Sequence, residues 1–172
     1  MQITYLNYFL ASIVAYLGLL LGVILRKIAP EEQKPGKKYF IFLKKAIFLL
    51  VLVFYLFFYN FNSTLSLILL AFTLILMLNK KLKLEKTGLT YFFFGLVFYL
   101  SSRILNLFII ETVLIFLYGI PTSSLILKKK NYSEMRKNAK HFLHTKNSRS
   151  EFFSVFIKNL WFFVPVLLYL VF

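Results

Sequence analysis

Apolar residues in this chain fall in long uninterrupted blocks, and charged residues fall almost wholly between the blocks. The longest block, Leu89 to Leu127, runs about 39 residues and contains two formal charges, Arg103 and Glu111. One bilayer-crossing helix needs about 20 apolar residues. A block of twice that length is expected to cross, turn and cross back. Ser101-Ser102-Arg103 is the polar cluster near its middle and marks the turn. The expected product is a transmembrane hairpin with Arg103 at its tip and Glu111 in the returning helix.

The same pattern predicts six spans, at about 3–25, 39–59, 64–78, 87–101, 104–127 and 152–172. In the second, Ala46 to Tyr59 alone would reach only ~21 Å, short of a ~30 Å hydrocarbon core. Tyr39 to Leu43 is therefore expected at the interface, with Lys44 and Lys45 snorkelling to headgroups. Pro30, Pro35 and Gly36 place a polar loop over 26–38. Asn60 to Ser63 is a tight turn, and 79–86 is a second basic loop. Within the polar segment 128–151, Met135, Ala139, Phe142 and Leu143 share one helical face, with Arg136, Lys137 and Lys140 mainly off it. That is the pattern of a basic amphipathic helix lying on a membrane surface. The fold class read from the pattern is all-α: a polytopic integral membrane protein, one transmembrane domain over 1–172, with six helices in a compact bundle and a short surface helix.

Small residues mark how the spans meet. Ala11, Ala15, Gly18 and Gly22 form one stripe along the first span, and Gly88, Gly95 and Ser102 form another along the fourth. Small residues let helix backbones approach closely, which is how helices associate in lipid. Both stripes are expected to serve internal packing, with a membrane-protein partner or a second copy as the other use. Pro121 frees the Leu117 carbonyl in the fifth span, where Thr122, Ser123 and Ser124 are expected to help resatisfy the backbone. Pro165 is expected to kink the sixth span by removing a hydrogen bond to Trp161.

Composition supports this reading. The chain is 60% hydrophobic, more than one soluble core of 172 residues can hide. Its net charge is +15, which in a soluble protein would suggest nucleic acid. Nineteen of its 21 basic residues belong to 26–38, 79–86, 128–151 and the Lys44–Lys45 boundary. With six spans these all lie on one side, and Lys- and Arg-rich loops stay cytoplasmic. Both termini and the Arg103 tip are then outside. The implied partners are the bilayer and its anionic headgroups, not nucleic acid. The first block lacks the basic flank of a signal peptide and reads as a retained span. The high Lys, Asn, Ile and Phe content suggests an AT-rich prokaryotic genome and an inner membrane. With no cysteine, disulfides, thiolate catalysis and Cys metal sites are excluded.

Candidate chemistry centres on Glu111, the single acid inside an apolar block. A carboxylate in hydrocarbon is costly, so it must face the bundle interior, be protonated or find a partner. Glu111, Tyr118 and Thr122 share one helical face, and together with Asn106 and Arg103 they form the expected ligand or ion pathway. Along one helix Arg103 and Glu111 would be ~12 Å apart, so a direct pair requires the turn to fold back. The other acids are Glu31, Glu32, Glu85, Glu134 and Glu151, with no Asp, a poor inventory for a metal. His141 and His144 are three apart with no third ligand nearby. Hydrolase, metalloprotease and P-loop motifs are missing. No catalytic residue, metal or cofactor is expected. The leading reading is a non-enzymatic multi-pass protein, a small transporter or a membrane-complex subunit. The alternatives are a scaffold that binds partner helices or anionic lipid, and an intramembrane enzyme on a lipid-linked substrate.

Overall fold

The structure is a computed structural model and describes residues 3–28, 33–60, 62–78, 87–126 and 156–170. All regular structure among these residues is helical: α1 (Tyr5–Ile28), α2 (Gln33–Phe58), α3 (Ser63–Leu78), α4 (Thr87–Ser101) and α5 (Leu105–Ile126). A C-terminal helical segment, Phe156–Leu167, follows. Its α-ladder is interrupted by a 3-10 turn at Leu160–Phe162, ahead of Pro165, and resumes as α6 (Phe163–Leu167). A second 3-10 turn, Leu168–Leu170, ends it.

Among the described residues three helices are long and apolar enough to cross a membrane: Tyr5–Leu25, Pro35–Phe58 and Leu105–Leu125. The sequence pattern predicts six. α3 and α4 have 16 and 15 residues.

Helix α2 begins at Gln33, well before the expected start at Tyr39, and α1 continues past Leu25 to Ile28. The polar loop expected over 26–38 is shorter as a result. Pro35 is the third residue of α2, in a first turn whose backbone N–H groups have no intrahelical partner, so the ring removes nothing. Residues 79–86 and the expected surface helix with Arg136, Lys137 and Lys140 lie outside the described residues.

Two turns are well defined. After α2, Asn60 takes φ 47°, a left-handed conformation that Asn tolerates better than most residues. Between α4 and α5 the reversal spans Ser102 to Ile104, with the Ile104 N–H donating to the Ser101 carbonyl at 2.9 Å. The hydroxyls of Ser101 and Ser102 donate to the Phe98 and Tyr99 carbonyls, which ties the polar tip back onto the end of α4.

Helix α5 is the hub, packed against α1, α2 and α4, while the C-terminal segment packs on α4 and α3 on α2. Contacts fix the directions. Tyr8 lies beside Phe108 and Gly18 beside Gly119, so α1 and α5 are parallel. Tyr118 meets Phe94 while Phe108 meets Phe98, so α4 runs antiparallel to α5. Lys44 sits over Tyr118 and the Tyr59 hydroxyl donates to the Leu100 carbonyl, so α2 runs with α4. Tyr16 bonds the Phe156 carbonyl, Tyr8 the Val166 carbonyl and Tyr169 the Ile3 carbonyl, so the C-terminal segment runs against α1.

The tightest contact is backbone on backbone. A Cβ built on Gly18 would fall on the Phe116 carbonyl, and one on Gly119 would lie 2.6 Å from the Gly18 carbonyl carbon. Gly95 of α4 meets the Phe162 carbonyl in the same way. Aromatic rings fill the remaining space in two tiers: Tyr8, Phe98, Phe108 and Tyr169 near the turns, and Tyr16, Tyr91, Phe94, Tyr118 and Phe162 nearer the other end. In detergent, Gly18→Ala is expected to lower unfolding stability by about 1–3 kcal/mol through overpacking. Gly36→Ala, whose Cβ would meet only a movable Phe40 ring edge at 3.3 Å, is expected to change it far less. Equal stability of Gly18→Ala and the natural chain would contradict the contact.

Candidate functional site

Four of the buried polar residues, Glu111, Thr122, Ser123 and Ser124, lie on the buried face of α5. Glu111 is fully buried, with 0% of its surface exposed. Neither of its carboxyl oxygens has a hydrogen-bond partner among the described residues. It is also the only acidic residue among them. It sits about 9 Å of helix from Leu105 and about 22 Å from Ile126, so it is nearer the turn between α4 and α5. Tyr55 of α2 comes within electrostatic reach of it. The parallel register of α1 sets Ser12 at a similar level, with its hydroxyl committed to the Phe9 carbonyl at 2.7 Å.

Tyr118 and Thr122, one turn apart, are also buried on α5. The Tyr118 ring stands edge-on to Phe94 and Tyr91, with centroids 4.6 and 5.9 Å away. The Lys44 ammonium, carried by α2, lies 5.7 Å from its centroid, within cation–π range. The Tyr91 and Thr122 hydroxyls are buried without a hydrogen-bond partner among the described residues. Two polar tiers result, one at Glu111 and Tyr55, the other at Tyr118, Lys44, Tyr91 and Thr122. Ile115 on α5 and Val51 on α2, both fully buried, separate the tiers along their helices, and fully buried Phe94 packs at the level of Tyr118.

Arg103 and Asn106 do not join Glu111. Both are exposed at the turn end of α5, and no ion pair forms between Arg103 and Glu111. The reason is helical geometry. The chain is helical from Leu105 onward, so the turn cannot fold back over the buried acid, and Arg103 lies instead within electrostatic reach of Tyr59. Near Pro121, the Ser123 hydroxyl reaches the Gly119 and Ile120 carbonyls and the Ser124 hydroxyl the Pro121 carbonyl. None of these is the Leu117 carbonyl that Pro121 frees, because a serine side chain reaches only three or four residues back along its own helix. Ala15 is buried and Ala11 half-buried on α1, whose Gly18 and Gly22 lie on α5, while Gly88 and Gly95 face the C-terminal segment at Lys158 and Phe162.

Sequence reasoning did not single out Tyr55, Tyr91 or the reach of Lys44 to Tyr118. Tyr91 sits in an aromatic run where nothing separates it from its Phe neighbours. Lys44 carried a signal, a cation inside the expected span 39–59, but its direction depends on how α2 is rotated against α5.

No family model matches the chain, and no curated protein or solved structure matches it either.

An unpartnered buried polar group costs about 1–3 kcal/mol of stability. Glu111→Leu removes it at similar volume and is expected to raise unfolding stability in detergent by that order. A drop in stability would show that Glu111 holds the bundle together and would contradict the arrangement.

Proposed function

We propose that this chain is a six-span, non-enzymatic membrane protein of a prokaryotic inner membrane, transporter-like, in which Glu111 takes up a proton or a cationic group. The observation that carries the reading is the fully buried carboxyl of Glu111 with no partner among the described residues. Ionisable residues inside a membrane are rare, face the bundle interior and mark ion or proton paths. An acid kept there against its desolvation cost is suited to receive positive charge from outside the fold.

Several features support the membrane arrangement. The directions that the contacts fix, α1 and α5 one way and α2, α4 and the C-terminal segment the other, are those that six successive crossings would give. Lys37, Lys38, Lys44 and Lys45 belong to the starting half of α2, and Lys158 lies beside the start of α4 at Gly88. Arg103 is at the opposite end. Basic ends favour the cytoplasmic side and its anionic headgroups. The turns, with both termini, then face outward. One feature favours a membrane-complex subunit as the second reading: among the described residues α3 packs chiefly on α2, with Leu65, Leu67 and Ile68 exposed. An intramembrane enzyme gains no support, since no second acid lies beside Glu111 among the described residues.

Purified chain reconstituted in vesicles with an entrapped pH-sensitive dye, under a valinomycin-imposed potassium potential, is expected to move protons faster than protein-free vesicles. Glu111→Gln is expected to return the rate to that of protein-free vesicles. A Glu111→Gln rate equal to that of the natural chain would contradict the role of the acid.

A further inference from the structure

We infer that Glu111 exchanges protons with the turn end of the bundle, past Tyr55 and Tyr59, and is sealed from the basic end by the apolar side chains of Val51, Phe94 and Ile115. The inference rests on the reading of Glu111 as a functional acid and adds the direction from which it is reached.

Position along α5 is the first argument. The acid is about 9 Å of helix from the turn end and about 22 Å from the other end, so the route outward through the turn side is the short one. That short side also has polar steps. Tyr55 and Tyr59 stand one turn apart on α2, both half-buried, with ring centroids 4.8 Å apart. Tyr55 is within electrostatic reach of Glu111, and Tyr59 within reach of the exposed Arg103. The Tyr59 hydroxyl donates to the Leu100 carbonyl at 2.6 Å, at the last turn of α4. Two phenols therefore lead from the level of the acid to the tip of the hairpin. A phenol both donates and accepts, so each can hand a proton on through intervening water.

The opposite direction is closed by packing and by charge. Val51, one turn before Tyr55 on α2, is fully buried, as are Phe94 and Ile115. Phe94 stands edge-on to the Tyr118 ring, which lies one turn further along α5 from Ile115. Beyond it stands the Lys44 ammonium, 5.7 Å from the Tyr118 centroid. A fixed positive charge behind an apolar layer raises the energy of any cation approaching from that end.

The natural chain has no cysteine, so single-cysteine variants carry no background. Glu111→Cys and Tyr55→Cys, each in the full chain in vesicles, are to be treated with a membrane-impermeant cationic methanethiosulfonate applied to one face at a time. Asn60→Cys, exposed in the turn after α2, identifies the turn-end face. Both test cysteines are expected to react from the face that labels Asn60→Cys, and not from the other. Reaction of either from the basic-end face overturns the inference, as does failure of either to react from the turn-end face. Tyr55→Cys leaves the acid in place and so keeps the test valid where Glu111→Cys does not assemble. Turn-end labelling without proton flux would uphold the route while rejecting transport, so the two readings fail separately.

Discussion

The bundle depends on how closely two backbones, α1 and α5, approach each other. In water, apolar helices associate because their side chains leave the solvent. In lipid that drive is lost, and helices hold together through van der Waals contact and polar bonds between surfaces that fit. Gly18 and Gly119 bring α1 and α5 to the distance at which any side chain would strike main chain. With α1 seated there, α2 and α4 pack against other parts of the same α5 surface. One helix is thus surrounded on several sides by its own chain. The central placement of α5 is what encloses Glu111.

Enclosure sets two requirements against each other. The interior is filled by aromatic rings whose few polar atoms mostly return to backbone carbonyls, as Tyr8, Tyr16 and Tyr59 do. Glu111 has no such bond among the described residues, and a carboxyl without one is a burden on the fold. Sites that carry function often sacrifice stability in this way.

Much of this was legible in the order of residue types, because lipid leaves few options. A long apolar block with one polar interruption has to be a helical pair, and α4 and α5 turn at Ser102 to Ile104. The small-residue stripe of α1 carried the information that something approaches there, but not which helix, since spacing within one helix says nothing about its neighbour. The start of α2 was misjudged because Pro35 and Gly36 read as helix breakers, whereas in a first turn a proline removes no hydrogen bond. Arg103 and Asn106 were grouped with Glu111 on closeness in sequence. The regular helix from Leu105 carries the acid inward and leaves both residues at the surface. Tyr55 and Tyr91 were invisible for the opposite reason. Their roles depend on rotation and register between helices, which a single sequence does not encode in any local pattern.

The contact between α1 and α5 is open to direct observation without altering a residue. The chain, labelled with carbon-13 at its glycine α-carbons and embedded in lipid bilayers, can be examined by magic-angle-spinning NMR. The account predicts a cross-peak between Gly18 and Gly119 at short mixing times, because the two backbones touch. Resolved, assigned signals from both glycines with no cross-peak between them would contradict it, and the central position of α5 would fall with it.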